Sequence, residues 1–268
     1  MSIKIEDSGR RSVEVEFDVE ATPDQVWQAL ATGEGVSSWL MPATLETRDG
    51  KPSALKMSFG PGMETSSRIT AYEAPRLFAL ESDSMMPGSP PIAAEWHIEA
   101  RGGGTCKVRL VQSLFASTDE WDGQLEVLEG GWSGFLATLK LYLKHFAGMR
   151  STLNKFMVPT NGTEAEVWAK LTSTLGLDRT GQRWSSNHGA PALTGVLEYL
   201  SNEPFDALVR LESPGPGIAA FGTVNMGGPT MVGMNLYTYG DQPAATGERE
   251  IAKWQAWMQE HFPAPAEA

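Results

Sequence analysis

The sequence has one cysteine and no long apolar run, and each shortage excludes a class of protein. Cys106 has no second cysteine with which to form an internal disulfide, and its setting, GTCKVRLVQ, is that of a strand, which favours a buried structural thiol over a nucleophile. No apolar segment reaches the roughly 18 residues that a membrane span requires. The opening residues, MSIKIEDSGRRSVEVEF, lack an apolar signal-peptide core, so we expect a cytoplasmic protein that does not associate with membranes.

Basic residues are also scarce. The chain has 21 Lys and Arg against 33 Asp and Glu, a formal net charge of −12. No basic patch stands out in either half, which disfavours binding to a nucleic-acid backbone. Neutral and cationic partners remain open.

Recognisable catalytic and metal-binding motifs are missing as well. The chain has four histidines: His97, His145, His188 and His261. No two of them stand at the spacing of metal ligands with each other or with a cysteine, so we expect no metal site. The serines lack a GxSxG setting, no pair of carboxylates suggests an acid and a base, and no glycine-rich turn leads from a strand into a helix as a phosphate-binding loop does. The residues therefore indicate neither a cofactor nor a catalytic group.

What the sequence does contain is a repeated nonamer. TPDQVWQAL begins at Thr22 and TEAEVWAKL begins at Thr163. Each copy fits a capping box followed by an amphipathic helix, with Gln25 or Glu166 three residues after the threonine. The nonamer alone is equally compatible with two unrelated helices of similar pattern.

Alternating residues in the first half predict an antiparallel sheet. SVEVEFDVE, from Ser12 to Glu20, alternates apolar and acidic side chains with the period of a half-buried strand. A short helix is expected over Glu34 to Leu40, and the glycines at 102–104 predict a hairpin. Further strands are predicted at Ala43 to Arg48, Ala54 to Phe59, Ser66 to Tyr72, Leu77 to Glu81, Ile92 to Ala100 and Thr105 to Leu114.

The strongest periodicity runs from Trp121 to Phe146. Apolar residues recur there in alternating steps of four and three, which predicts a long amphipathic helix with a capping box at Ser117 and Glu120. The spacing suits a coiled coil too. After a series of antiparallel strands, however, a single helix of this length more naturally lies across the open face of the sheet.

A second repeat indicates internal duplication. The long helix of the first half ends in His145-Phe146, and a helical pattern near the end of the chain closes on His261-Phe262. We therefore predict two related domains, residues 1–150 and a shorter copy at 151–268. The glycine-rich stretch from Phe221 to Met234 departs from an ordinary strand pattern and indicates that the second copy is degenerate.

The order of these elements resembles the START-like, or SRPBCC, helix-grip superfamily, and within it the bacterial proteins grouped with the C-terminal domain of the activator of Hsp90 ATPase. The resemblance is carried by ATPDQVWQALATGEGVSSWL, ITAYEAPRLFAL, EWHIEARGGGTCKVRLVQS and EGGWSGFLATLKLYLKHF. It implies an α+β fold in which a curved antiparallel sheet grips a long C-terminal helix, duplicated here with a shorter second copy. It also implies a cavity between the sheet and the helix.

Several large apolar side chains are candidates for the lining of that cavity. For any one of them alone, core packing is the simpler role. The candidates are Trp39, Met57, Phe59, Trp96, Trp132, Phe135 and Leu136.

The sequence leaves three functions open. We favour non-enzymatic binding of a small apolar or aromatic molecule, because nine tryptophans concentrate on the elements expected to face the cavity. The resemblance also implies a chaperone-partner protein like the Hsp90 activators, or an enzyme like the cyclases, dehydratases and hydrolases of the wider superfamily. An enzyme needs an acid or base in the cavity, and the one candidate, His97, is expected to point away from it, since its neighbour Trp96 is expected to point in.

Overall fold

The computed structural model describes residues 4–5, 11–60, 62–82, 90–115, 122–187, 189–225, 227–242 and 244–265, with the backbone alone at residue 5 and at 122–131. The chain divides into two compact units, Met1–Gly148 and Met149–Ala268. Each is an antiparallel sheet followed by a C-terminal helix.

In unit 1 the described residues form an eight-stranded sheet in the order β1-β2-β8-β7-β6-β5-β4-β3. Its strands are β1 (Lys4–Ile5), β2 (Arg11–Val19), β3 (Ala43–Arg48), β4 (Lys51–Ser58), β5 (Glu64–Glu73), β6 (Leu77–Ser82), β7 (Ile92–Ala100) and β8 (Cys106–Leu114). The six strands predicted after Ser12 to Glu20 all exist, and two of them, Ala43–Arg48 and Ile92–Ala100, have the predicted bounds.

The first long strand of unit 1 pairs with the last one. Residue Val13 of β2 lies opposite Gln112 of β8. The long helix α3 (Asp122–His145) then packs against β2 and β8. The sequence prediction of a helix lying on the sheet is confirmed, and the arrangement is the helix-grip fold. The capping box predicted at Ser117 and Glu120 and most of the loop before Ile92 lie outside the described residues.

Two short helices, α1 (Pro23–Ala31) and α2 (Gly33–Ser37), follow β2. Both bonds of the predicted capping box are present: the Thr22 hydroxyl accepts from the Gln25 backbone, and the Gln25 side chain accepts from the Thr22 backbone. The helices approach each other closely at Gly35, where a Cβ would lie 1.8 Å from the carbonyl oxygen of Gln28. Any larger residue there would separate α2 from α1.

Unit 2 repeats the scheme with a six-stranded sheet, counted over the described residues, in the order β10-β11-β12-β13-β14-β9. Its first strand pairs with its last, and helix α5 packs against both of them, as α3 does in unit 1. The duplicated architecture predicted from the sequence is confirmed. Its elements are β9 (Ser151–Thr160), α4 (Glu164–Leu175), β10 (Arg183–Ser185), β11 (Thr194–Asn202), β12 (Phe205–Ser213), β13 (Gly217–Val224), β14 (Thr230–Tyr239) and α5 (Ala244–His261).

The glycine-rich stretch of unit 2 lies in the regular strands β13 and β14, although its sequence suggested otherwise. Gly222 and Gly233 face each other across the two strands. A Cβ at Gly233 would lie 2.1 Å from the carbonyl oxygen of Phe156 on the neighbouring strand. The glycine therefore permits close packing of backbones in a sheet that a side chain would disturb.

Unit 2 has a buried tryptophan in its C-terminal helix at a position where the helix of unit 1 has a threonine. Counting eight residues back from the final phenylalanine of each helix gives Thr138 in α3 and Trp254 in α5. The Trp254 side chain has no exposed surface and its ring lies 5.3 Å from that of Phe221. A large ring thus packs against the sheet of unit 2 where unit 1 has a threonine.

Candidate ligand-binding cavity

Unit 1 contains a cavity of about 650 Å³ between its sheet and the helices α1, α2 and α3. This volume lies within the range of about 300–1,000 Å³ typical of small-molecule sites. Six of the seven side chains named from the sequence line it: Trp39, Met57, Phe59, Trp96, Trp132 and Phe135. The wall is mostly apolar, so an apolar molecule that binds there would be transferred out of water.

Three tryptophans from three different elements form one side of the cavity. Trp39 follows α2, Trp96 lies on β7 and Trp132 lies on α3. The Trp96 ring is 5.6 Å from that of Trp132 and 6.2 Å from that of Trp39, both at 83°. The Trp39 and Trp132 rings are 6.5 Å apart at 39°. Edge-to-face contacts of this kind hold aromatic rings in defined orientations.

Trp39 is fixed at its polar end as well. Its Nε1 donates a hydrogen bond of 2.9 Å to the carbonyl oxygen of Ala29 at the end of α1, and 1% of its surface is exposed. In unit 2 the Nε1 of Trp184 donates in the same way to the Leu175 carbonyl oxygen, at 2.7 Å near the end of α4. Each unit therefore ties a tryptophan to the last turn of its first helix.

Phe59 and Glu64 lie at the rim of the cavity. Phe59 retains 37% of its exposure, a high value for a large apolar side chain. Glu64 is exposed and carries the only charge among the described lining residues. The rim is thus accessible to solvent, whereas Trp39 and Trp96 in the wall are buried.

Leu136, the seventh residue named from the sequence, is not among the described lining residues. Its side chain is buried, with 6% exposed. Leu139 and Leu143 are buried three and seven residues further along α3. Leu136 therefore belongs to a buried stripe of the helix, one turn beyond Trp132.

Three polar side chains in the wall that are buried or half-buried were not identified from the sequence. The hydroxyls of Ser67 and Ser82 are 2.6 Å apart and hydrogen-bond to each other across β5 and β6. Gln112 lies on β8, is 5% exposed and lines the cavity. The alternation of side chains along the strand could have identified Gln112. It is two residues after Leu110 and two before Leu114, which places a polar side chain on the apolar face of the strand.

His97 lies on the other face of the sheet, as the alternation with Trp96 predicted. It lines a separate polar groove of about 320 Å³ with Lys107 and Arg109. The His97 Nε2 is 3.3 Å from a carboxylate oxygen of Glu95, and Arg109 and Lys107 pair with glutamates of β2 at 3.4 and 3.1 Å. Charges of both signs alternate in this groove, so it has no strong preference for an anion or a cation.

Cys106 is fully buried at the start of β8. Its Sγ donates to the carbonyl oxygen of Ala21 at 3.1 Å, and burial raises the pKa of the thiol. A raised pKa keeps the thiol protonated and unreactive. The structural role expected for this cysteine is confirmed.

Within the described ranges, no group of three or more His, Cys, Asp or Glu side chains is placed to hold a metal ion. No helix in that part of the chain is both long and apolar enough to cross a membrane.

Solved structures with similar folds come from several sources, all at low identity. The di-domain ARO/CYC BexL of the BE-7585A biosynthetic pathway is 13% identical, with 96% of this chain and 100% of that chain covered and a TM-score of 0.44. CalU16 from Micromonospora echinospora is 18% identical over 53% of this chain and 80% of its own, at a TM-score of 0.43. The Aha1 dimer from Colwellia psychrerythraea is 20% identical over 51% and 98%, at 0.39. These likenesses are too distant to indicate a function.

Among curated proteins, none matches the chain. A family model does match: the one described as polyketide cyclase / dehydrase and lipid transport, over residues 10–155. This range contains the strands of the unit 1 sheet from β2 onward, the helix α3 and every described residue of the cavity wall. The chain belongs to the polyketide cyclase/dehydrase and lipid transport family of the SRPBCC superfamily.

Proposed function

We propose that unit 1 binds a small apolar or aromatic molecule in its cavity and does not transform it. The observation that carries the proposal is the cavity of about 650 Å³ with three tryptophans on one side. Aromatic walls bury large areas of a flat guest, and their edge-to-face packing keeps the wall in place before the guest arrives. In this proposal Trp39, Trp96 and Trp132 contact the ligand directly.

An enzymatic role is the second candidate, because the family description includes cyclases and dehydratases. A reaction of that kind needs a positioned acid or base. Among the described lining residues the one ionisable side chain is Glu64, which is exposed at the rim. His97, the other group considered from the sequence, lies in the groove on the opposite face. Binding alone accounts for the wall as described.

A chaperone-partner role stays a prediction of the sequence resemblance. It would be tested by adding the purified chain to the Hsp90-type chaperone of the same organism and measuring the ATPase rate. A rate that does not change at saturating concentrations of the chain would reject it.

The binding proposal is tested with the full chain and a neutral aromatic fluorophore, 1-aminoanthracene. We expect its emission to increase on titration with a single saturable site, and tryptophan emission to fall in parallel, since the indoles line the cavity. Native mass spectra should show one bound molecule per chain. Absence of saturable binding at concentrations up to the solubility limit would contradict the proposal.

A further inference from the structure

The cavity wall contains a buried polar side chain whose hydrogen-bonding groups are unused. Gln112 is 5% exposed and faces the cavity from β8. In the described part of the chain no group forms a hydrogen bond with its side-chain amide. Its neighbours on the same face across the sheet are Val13 on one side and Ala94 on the other, and neither side chain has a polar atom.

A primary amide in such a position offers two N–H donors and a carbonyl acceptor to whatever enters the cavity. Because these atoms are not sealed off from the cavity, a bound molecule can replace the water that they would otherwise contact. An apolar side chain of equal length would pack in the wall and offer neither a donor nor an acceptor. The four other residues of β8 in the same phase are apolar or a thiol: Cys106, Val108, Leu110 and Leu114. The exception at 112 therefore points to a partner that arrives with the ligand.

The other polar pair of the wall does not present the same opportunity. Ser67 and Ser82 already form a hydrogen bond with each other at 2.6 Å, on β5 and β6. In the sheet, β7 separates β8 from β6, and Ser82 lies opposite Ile92, not opposite Ala94. Gln112 is thus separated from the serine pair, and it presents both a donor and an acceptor on its own.

We infer that Gln112 is a specificity-determining residue that selects neutral aromatic ligands with a carbonyl or hydroxyl group over the same ring skeleton without one. The inference rests on the proposed binding function and adds the chemistry of the bound molecule. A carbonyl accepts from the amide N–H₂, and a hydroxyl donates to the amide oxygen. The ligand is neutral because the apolar wall would remove an ion of either sign from water without pairing it, and Glu64, the only charged group among the described lining residues, is exposed at the rim and would in addition repel a carboxylate.

A matched pair of ligands and a matched pair of proteins test the inference. Fluorene and 9-fluorenone share one tricyclic skeleton and differ by a carbonyl group. Their affinities are measured by displacement of 1-aminoanthracene from the full-length protein and from Gln112→Met, which keeps the length of the side chain and removes the amide. The fluorenone-to-fluorene affinity ratio is compared between the two proteins, so that the hydration of each ligand cancels.

We expect the ratio to fall about threefold to tenfold in Gln112→Met, the range for one hydrogen bond in a buried site. The affinity for fluorene should change little, and the midpoint of thermal unfolding without ligand should stay the same or rise. A merely structural role for the amide predicts the reverse: a lower midpoint and an equal loss for both ligands. Gln112→Leu provides the same comparison if the methionine variant does not fold.

The failures are distinguishable. If neither ligand displaces the fluorophore from the unmodified protein, the binding proposal fails and the inference with it. If both ligands bind and the ratio is unchanged in Gln112→Met, the binding proposal stands and the role of Gln112 is rejected. Binding of 9-fluorenone-2-carboxylate as tight as that of 9-fluorenone would overturn the selection for neutral ligands.

Discussion

The indole rings of Trp96 and Trp132 meet edge to face, with centroids 5.6 Å apart and an angle of 83° between their planes. One ring belongs to the sheet and the other to the long helix, so the contact joins the two layers at the edge of the cavity. Trp96 is buried, whereas Trp132 is half-buried. The helix tryptophan thus has a face that a ligand can cover.

Replacing this ring with a smaller apolar side chain should weaken binding more than it weakens the fold. We expect Trp132→Leu to bind 1-aminoanthracene about tenfold less tightly, because both the contact area and the edge-to-face geometry are lost. Trp132→Phe, which keeps an aromatic edge, is the control and should retain most of the affinity. Equal affinity in the leucine variant and the unmodified protein would show that the ring does not touch the ligand.

Filling the cavity should abolish binding. Ala94 lines the wall on β7, and Ala100 on the same strand is exposed. A phenylalanine at 94 occupies the space that the ligand needs, so Ala94→Phe should reduce the affinity for 1-aminoanthracene by more than about tenfold. Ala100→Phe adds the same ring to the same strand and should leave the affinity unchanged. If the two variants bind equally, the fluorophore occupies another site.

Asp206 gives unit 2 a specific pH dependence. Burial, together with the nearby charge of Glu164, raises the pKa of Asp206 from 3.8 to about 6. Because the folded protein holds this proton more tightly than the unfolded chain, the stability from this group is full below about pH 4, is lost as pH rises through 6, and is constant above that. Burial also raises the pKa of Glu164, although a hydrogen bond from the Asn225 backbone opposes the rise, so Glu164 acts in the same direction.

Asp206→Asn should therefore stabilise the protein at pH 7, by at most about 3 kcal/mol, and have little effect at pH 4. The measurement is urea unfolding of the full chain at several pH values between these limits. The quantity of interest is the difference in unfolding free energy between the variant and the unmodified protein. A difference that does not change with pH would mean that Asp206 has an ordinary pKa.

The contact of α1 with α2 predicts a large effect of one methyl group. In Gly35→Ala the new Cβ would lie 1.8 Å from the Gln28 carbonyl oxygen, so the helices must separate. We expect a loss of about 2 kcal/mol or more in the free energy of unfolding. Gly102→Ala is the matched control, since no atom lies within 4 Å of its added Cβ and its backbone φ is not positive. A comparable loss in both variants would show that the contact between α1 and α2 is not the cause, since backbone entropy by itself favours alanine over glycine in the folded chain.

Much of the fold was predictable because its signals are local. The alternation in Ile92 to Ala100 defines a strand whose bounds the structure reproduces, and the threonine at 22 starts a helix with both capping bonds in place. The duplication was visible because the same cap recurs at Thr163, again with both bonds. Each of these features depends on residues within a few positions of one another.

The cavity was less predictable because it depends on register between distant segments. Leu136 follows the same helical pattern as Trp132, yet it is the tryptophan that lines the cavity. Gln112 is harder to predict, because it is a polar residue in an apolar wall and its neighbour across the sheet, Val13, is 99 residues away in the chain. The position of a polar residue in the alternation of a strand shows which face of the sheet its side chain occupies. It does not show that a cavity lies in front of that face.

The pairing of the first long strand with the last one also determines when each unit can close during synthesis. Arg11 lies opposite Leu114, so β2 has no partner strand on that side until more than a hundred residues have left the ribosome. In unit 2 the first strand, β9, likewise has no partner until β14 is synthesised, since Ser151 lies opposite Tyr239. The first unit is complete before the second has its closing strand, so the protein is assembled one half at a time, from its amino terminus onward.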